Sequence, residues 1–210
     1  MATAPAPLKN VKATKAVEVC EHFELEKKAR PLLKPDASPR EFLDALQSDR
    51  QYQSAVCFLA HALPHREAVW WGSLCLQKAS GAGLAEGEAA ALRASVEWVL
   101  EPTEENRQAA EQAAPAAGKG TAAELLAVGV GWTGGSLAPP LPKVPPVPPG
   151  PYLPAKGIYG AVLLAATNAA PLPVQEALRL FVELGVGVAE GRIPWPADVK
   201  PKRSGKTWGF

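Results

Sequence analysis

The residues best suited to chemistry sit in one apolar stretch: Cys57, His61, His65 and Cys75. Thiolate sulfur and imidazole nitrogen are the ligands that zinc prefers. Cys57 and His61 are separated by a step of four, so a helix would bring them onto one face. Pro64 then stands between the two histidines and turns His65 off that face. Neither a CxxC nor an HExxH pair accompanies them, and no cysteine and histidine have the spacing of a nucleophile and its base. These residues therefore read as buried thiols and ordinary histidines, and no metal, cofactor or catalytic residue is assigned.

Phosphate-binding patterns fail on their context. GKT at Gly205 to Thr207 has the ending of a phosphate loop, yet the position that needs glycine is Lys200, no strand precedes it, and the chain stops at Phe210, too soon for the helix that would hold the phosphate. GKGT at Gly118 fails similarly, and its Thr121 is better placed as a helix cap. GAGLAEG at Gly81 lacks the spacing and the strand of a dinucleotide fingerprint. No GxSxG occurs. Arg66 and Glu67 at a chain corner read as structural pairing or capping before they read as a catalytic pair.

Features that suit a protein partner are more numerous. Trp70 and Trp71 are adjacent, so on a helix they point about 100° apart. Both are buried only if that helix is enclosed on two sides; otherwise one faces outward as a binding anchor. Within APPLPKVPPVPPGPYLP, from Ala138 to Pro154, Lys143, Pro146 and Pro149 recur every third residue. That is the spacing of a PxxP ligand, whose preformed polyproline II helix loses little entropy on entering a groove. The end, VKPKRSGKTWGF, carries Lys200, Lys202, Arg203 and Lys206 and finishes on Trp208 and Phe210, and reads as a solvated terminus or a docking peptide. Trp70, Trp71, Lys143, Pro146, Pro149, Trp208 and Phe210 are thus the candidate partner-binding residues.

The elements that must position these residues are helices. Alanine is abundant, prolines collect at segment edges or in the one tract, and no alternating β pattern appears. Residues 1–13 read as a flexible arm. A first helix is expected from about Lys15 to Arg30, with Ala16, Val19, Cys20 and Phe23 as its buried stripe. Ser38, Pro39 and Glu41 spell a capping box with proline at the first helical position. Ser48 and Gln51 look like a second box, opening the helix that Pro64 ends. The next helix carries Ala68 to Leu76 and is apolar on too many sides for a surface position.

Further helices follow from Ala85 to Leu100, from Thr103 with Glu104 and Glu105 in its first turn, and from a capping box at Thr121 and Glu124 to about Trp132. The proline tract reads as a strap over the helices, because Leu137, Leu141, Val144, Val147, Tyr152 and Leu153 supply more apolar area than a solvated linker needs. Beyond it, a second helix pair surrounds Pro171 and Pro173. AVLLAA at Ala161 echoes AVCFLA at Ala55, and QEAL at Gln175 echoes REAV at Arg66, the pattern of an internal duplication.

At 210 residues the chain can bury a sizeable single core. Its 22 basic and 21 acidic side chains leave a net charge of +1, which removes any general argument for nucleic acid or an anionic membrane as partner. Three cysteines, an odd number and two of them in apolar segments, suit a reducing compartment. No apolar run approaches a bilayer span, and the N-terminus has no signal-peptide core, so the expected location is the cytoplasm.

Three segments, FLAHALPHREAVWWGSLC, EPTEENRQAAEQAA and GGSLAPPLPKVPPVPP followed by GAVLLAA, together resemble an uncharacterised bacterial family of about this size. The resemblance spans Ala16 to Trp195. It implies a cytoplasmic accessory protein of type VI secretion gene clusters, working beside spike, tip and adaptor proteins, and it carries no catalytic residues over.

The resulting expectation is an all-α single domain of helical hairpins, about eight helices over 14–196, with a proline-rich extended strap at 138–154 and a basic tail at 197–210. Its expected function is that of a non-enzymatic adaptor or accessory factor that binds a secretion spike, tip, adaptor or effector protein. Two alternatives stand beside it: a small-molecule binder or enzyme with a pocket between helices near Trp70, Arg66 and Glu67, and a self-assembling structural subunit.

Overall fold

In the computed structural model, residues 6–81, 83–138 and 145–196 are described. Among them the chain forms nine α-helices and no strand. The helices are α1 (Ala16–Cys20), α2 (Pro39–Ser48), α3 (Tyr52–Ala62), α4 (His65–Ala79), α5 (Glu86–Leu100), α6 (Glu104–Ala113), α7 (Ala122–Gly131), α8 (Leu153–Thr167) and α9 (Val174–Ala189). The protein is an all-α single domain.

Helices α3 and α4 lie at its centre, but they meet at a corner and pack on α8 and α9, not on each other as a hairpin would. Leu63 is extended and Pro64 follows it, so α3 stops and α4 starts after a sharp corner. Helix α4 packs on α5, α7, α8 and α9, which encloses it as its sequence requires. Both tryptophans are consequently inside, Trp70 at 2% and Trp71 at 0% exposure. Their indole N–H groups point to different neighbours: Trp71 Nε1 donates to the Phe181 carbonyl at 2.8 Å, and Trp70 Nε1 to the Ile193 carbonyl at 3.2 Å. Neither stands outward as a binding anchor.

Side-chain caps open three of the nine helices, α2, α6 and α7. Ser38 and Glu41 form the full capping box, with Pro39 at the first helical position. Thr103 Oγ1 accepts from the Asn106 amide and Thr121 Oγ1 from the Glu124 amide. Around α7 the reciprocal half of the box is shifted by one residue, because Glu124 takes the amide of Gly120.

Four further expectations change. The first helix ends at Cys20 instead of Arg30. Leu25 and Ala29 are buried but lie off the stripe of Ala16, Val19 and Phe23, so one continuous helix could not bury both sets. The chain turns after Cys20 instead and resumes with a short 3-10 turn at Arg30–Leu32.

Ser48 does not cap α3. It is the last residue of α2, and the corner is closed by Arg50 in the left-handed region at φ 55°. The Arg50 amide bonds the Gln47 carbonyl and the Gln51 amide the Leu46 carbonyl, the paired bonds of a Schellman ending.

Residues 6–13 are docked where a flexible arm was expected. Asn10 donates from its backbone to the Ala189 carbonyl and from Nδ2 to the Val188 carbonyl, both at 2.8 Å, thereby capping α9.

The proline tract is only partly laid down. Leu137 and Val147, expected against the helices, are 50% and 49% exposed.

Candidate functional site

The cysteines and histidines do not assemble a metal centre: among the described residues no three histidine, cysteine or acidic groups converge on one point. Cys57 Sγ is 3.9 Å from His61 Nδ1, but that nitrogen is 2.8 Å from the Cys57 carbonyl oxygen. A carbonyl only accepts, so Nδ1 carries the proton and donates it there. The thiol is left without a base, and burial pushes Cys57 up to about 12, as it does Cys20. Neither has the thiolate character of a nucleophile at neutral pH. Cys75 is fully buried in α4.

The proton on Nδ1 leaves His61 Nε2 as a bare lone pair. It is buried with no hydrogen-bond partner among the described residues. Burial, chiefly, holds His61 below the ordinary histidine value; His22 and Lys156 act in the same direction, and the Cys57 carbonyl opposes them.

His61 belongs to a larger grouping. The chain has three histidines, and each meets the junction between the proline tract and α8. The His22 ring stacks on Tyr152 with centroids 3.6 Å apart, and His61 lies 6.5 Å from the same ring and 4.7 Å from the Phe23 ring. His65 Nε2 donates to the Pro151 carbonyl at 3.1 Å.

At the other end of the tract a small stem holds the chain. The Leu137 amide donates to the Val147 carbonyl at 2.8 Å, and Ser136 Oγ accepts from the amides of Val147 and Ala138. Residues 145–148 are exposed and lie outside any helix or strand, and Pro149 is half-buried. Of the PxxP residues, Pro146 and Pro149 thus flank the stem, whereas Lys143 lies outside the described residues, as do Trp208 and Phe210.

The cations that could have served a pocket near Trp70 are committed elsewhere. Arg66 donates to the carbonyls of Val99 and Leu100 at 2.5 and 2.9 Å, capping the C-terminus of α5, and its guanidinium lies 4.3 Å over the Trp195 ring. A cleft of about 280 Å³ opens instead at the far end of α4, between Leu76, Leu84, Glu88, Ala123, Ala165 and Asn168. Its walls set alanine and leucine side chains beside the polar groups of Ser80, Glu88 and Asn168.

Sequence reasoning missed Arg107. It is buried on an otherwise polar helix, donating to both oxygens of Glu104, to Glu111 and to the Gly131 carbonyl. Glutamates three residues before it and four after it were the only local signal.

A family model described as a family of unknown function (DUF6931) matches residues 42–189, well over half of the chain. No curated protein and no solved structure matches it. The matched span includes α3, α4, the stem of the proline tract and α9.

Proposed function

The chain belongs to the DUF6931 family, and from that premise we propose that it is a non-enzymatic interaction protein, an adaptor or accessory factor whose contact element is the proline loop between α7 and α8. One observation carries the reading. Leu137 and Val147 are half exposed, yet the Leu137 amide and the Val147 carbonyl hold them side by side. Large apolar side chains fixed at a surface by backbone bonds lose little entropy when a partner covers them. The proline-rich residues 145–148 beside them add the stiff, donor-poor backbone that proline-reading grooves accept.

The resemblance of FLAHALPHREAVWWGSLC and GGSLAPPLPKVPP to accessory proteins of type VI secretion gene clusters supports a spike, tip, adaptor or effector protein as the partner, met in the cytoplasm. Unpaired thiols at Cys20, Cys57 and Cys75 accord with that compartment. Among the described residues no helix is long and apolar enough to cross a membrane.

The test is a capture from native lysate with the full chain and with a Leu137→Asp, Val147→Asp variant. A secretion component recovered by the first and lost by the second, with equal helicity, supports the proposal. A folded chain that recovers no secretion component overturns it.

A second reading, a binder of a small apolar molecule, is favoured by the cleft at Leu76 and Ala165. Benzene raising Tm in the parent chain and losing that effect in Ala165→Leu supports it; no shift in the parent removes it.

A further inference from the structure

We infer that the three histidines form a proton-sensitive latch that fastens Tyr152, the foot of the proline loop, to the helical body. The geometry of the latch stands on its own; what it regulates rests on the reading of the loop as the contact element.

The attachment at this point is slight. Tyr152 is 36% exposed and its ring centroid lies 6.5 Å from that of His61, so it stands at the rim beside His61 and can lift with a small loss of buried area. Its fastenings to the helical body are the stacked His22 ring and the bond from His65 to the Pro151 carbonyl; the Leu153 amide bond to Gly150 closes the turn at the foot itself. Imidazoles from two separate segments thus hold one residue pair.

His61 is the group that senses protons. In the closed state it is neutral, with Nδ1–H given to the Cys57 carbonyl and Nε2 bare. A proton added to Nε2 creates a buried cation whose new N–H has no acceptor. The groups facing it make this worse. From its own helix there is the neutral Cys57 thiol; from the segment after α1, His22; from α8, Lys156; and from the residue before α8, Tyr152. Glu26 and Cys20 act on Cys57, and Glu26 is engaged by Ser54. No carboxylate among the described residues is paired with the imidazole. Lifting Tyr152 admits water to Nε2 and relieves the charge.

The direction follows from linkage. His61 is held below the ordinary histidine value when closed and returns toward it when open, so the open state binds the proton more readily. The closed latch is fully stable above about pH 6.5 and weakens by about tenfold per pH unit as acidity carries the solution from there toward the lowered value. Acid therefore frees the foot of the loop while the stem at Leu137 and Val147, which contains no titrating group, stays closed.

With only three histidines, NMR can follow each ring on the full chain without a partner. Between about pH 7.5 and about pH 5, the expected result is that His61 titrates below the ordinary value, that the ring-current shifts between His22 and Tyr152 disappear, and that Leu153 amide protection falls about tenfold per pH unit. His61→Leu should keep Leu153 protected throughout. Should that variant not fold, Tyr152→Ala at the exposed rim serves instead: it should move His61 to the ordinary histidine range. A pH-independent Leu153 amide in the parent, an ordinary His61 titration in the parent, or an unchanged His61 titration in Tyr152→Ala overturns the latch. Partner capture lost with the latch intact overturns the loop reading alone, and capture intact with a pH-insensitive latch overturns only this inference.

Discussion

The Trp71 indole lies directly over Gly185 of α9. A methyl group at Gly185 would fall 2.9 Å from Trp71 Nε1 and 2.7 Å from Leu59 Cδ1, closer than real side-chain atoms approach. The missing side chain is what lets the indole reach the Phe181 carbonyl one turn earlier. Helix α4 and helix α9 are joined at this point by shape and by a hydrogen bond together.

Gly185→Ala should accordingly destabilise the fold by about 1–3 kcal/mol through overpacking. Trp71→Ala should cost about 3–5 kcal/mol through the cavity it leaves. Urea unfolding measures both; a neutral Gly185→Ala would show that α9 can move off the indole freely.

Arg107 ties α6 to the C-terminal end of α7. Glu104, donated to by Arg107 and Gln108, titrates at about 2. A depressed carboxylate contributes stability that is present above its unfolded value and lost as pH falls through the folded one. Glu104 is half exposed, so screening holds that contribution under about 1 kcal/mol. In Arg107→Gln, NMR titration should find Glu104 back in the ordinary carboxylate range. The larger effect is the Gly131 carbonyl left without its charged donor, expected to cost about 1.5–3 kcal/mol in unfolding experiments.

Arg50 occupies a left-handed position in the Schellman corner between α2 and α3. That conformation costs a side-chain-bearing residue about 1–2 kcal/mol, against about 0.5–1 kcal/mol of extra chain entropy for glycine. The strain relieved exceeds the entropy added, and Arg50→Gly should raise stability by roughly 0.5–1 kcal/mol. A lower Tm in the variant would mean that the Arg50 side chain contributes contacts of its own.

Ser136 is the acceptor that closes the stem of the proline loop. Its replacement by alanine removes two hydrogen bonds worth about 1 kcal/mol each without touching the core. The Val147 and Ala138 amides should then exchange at least about fivefold faster, with Tm lowered by a few degrees. An unaltered exchange rate would show that the Leu137 amide and the Val147 carbonyl suffice to close the stem.

What was legible in the sequence was local. The capping box at Ser38, the caps at Thr103 and Thr121, the break at Pro64 and the two-sided apolarity of Ala68 to Leu76 act within a turn or two of the chain, so their chemistry is written in adjacent residues. They determined a helical domain with α4 enclosed at its centre. The candidate site was barely legible by comparison. His22, His61 and His65 meet Pro151 and Tyr152 from far along the chain, and no periodicity announces such a meeting. Arg107 reads as a solvated charge until α7 brings the Gly131 carbonyl to it. The first helix stopped short for the same reason: Leu25 and Ala29 had to be buried against neighbours that the local pattern does not contain. Helix identity follows from bonds between close residues. The placing of Tyr152 among the histidines, and of Leu137 and Val147 in the open, depends on which surfaces the packed helices leave available, and only the tertiary structure decides that.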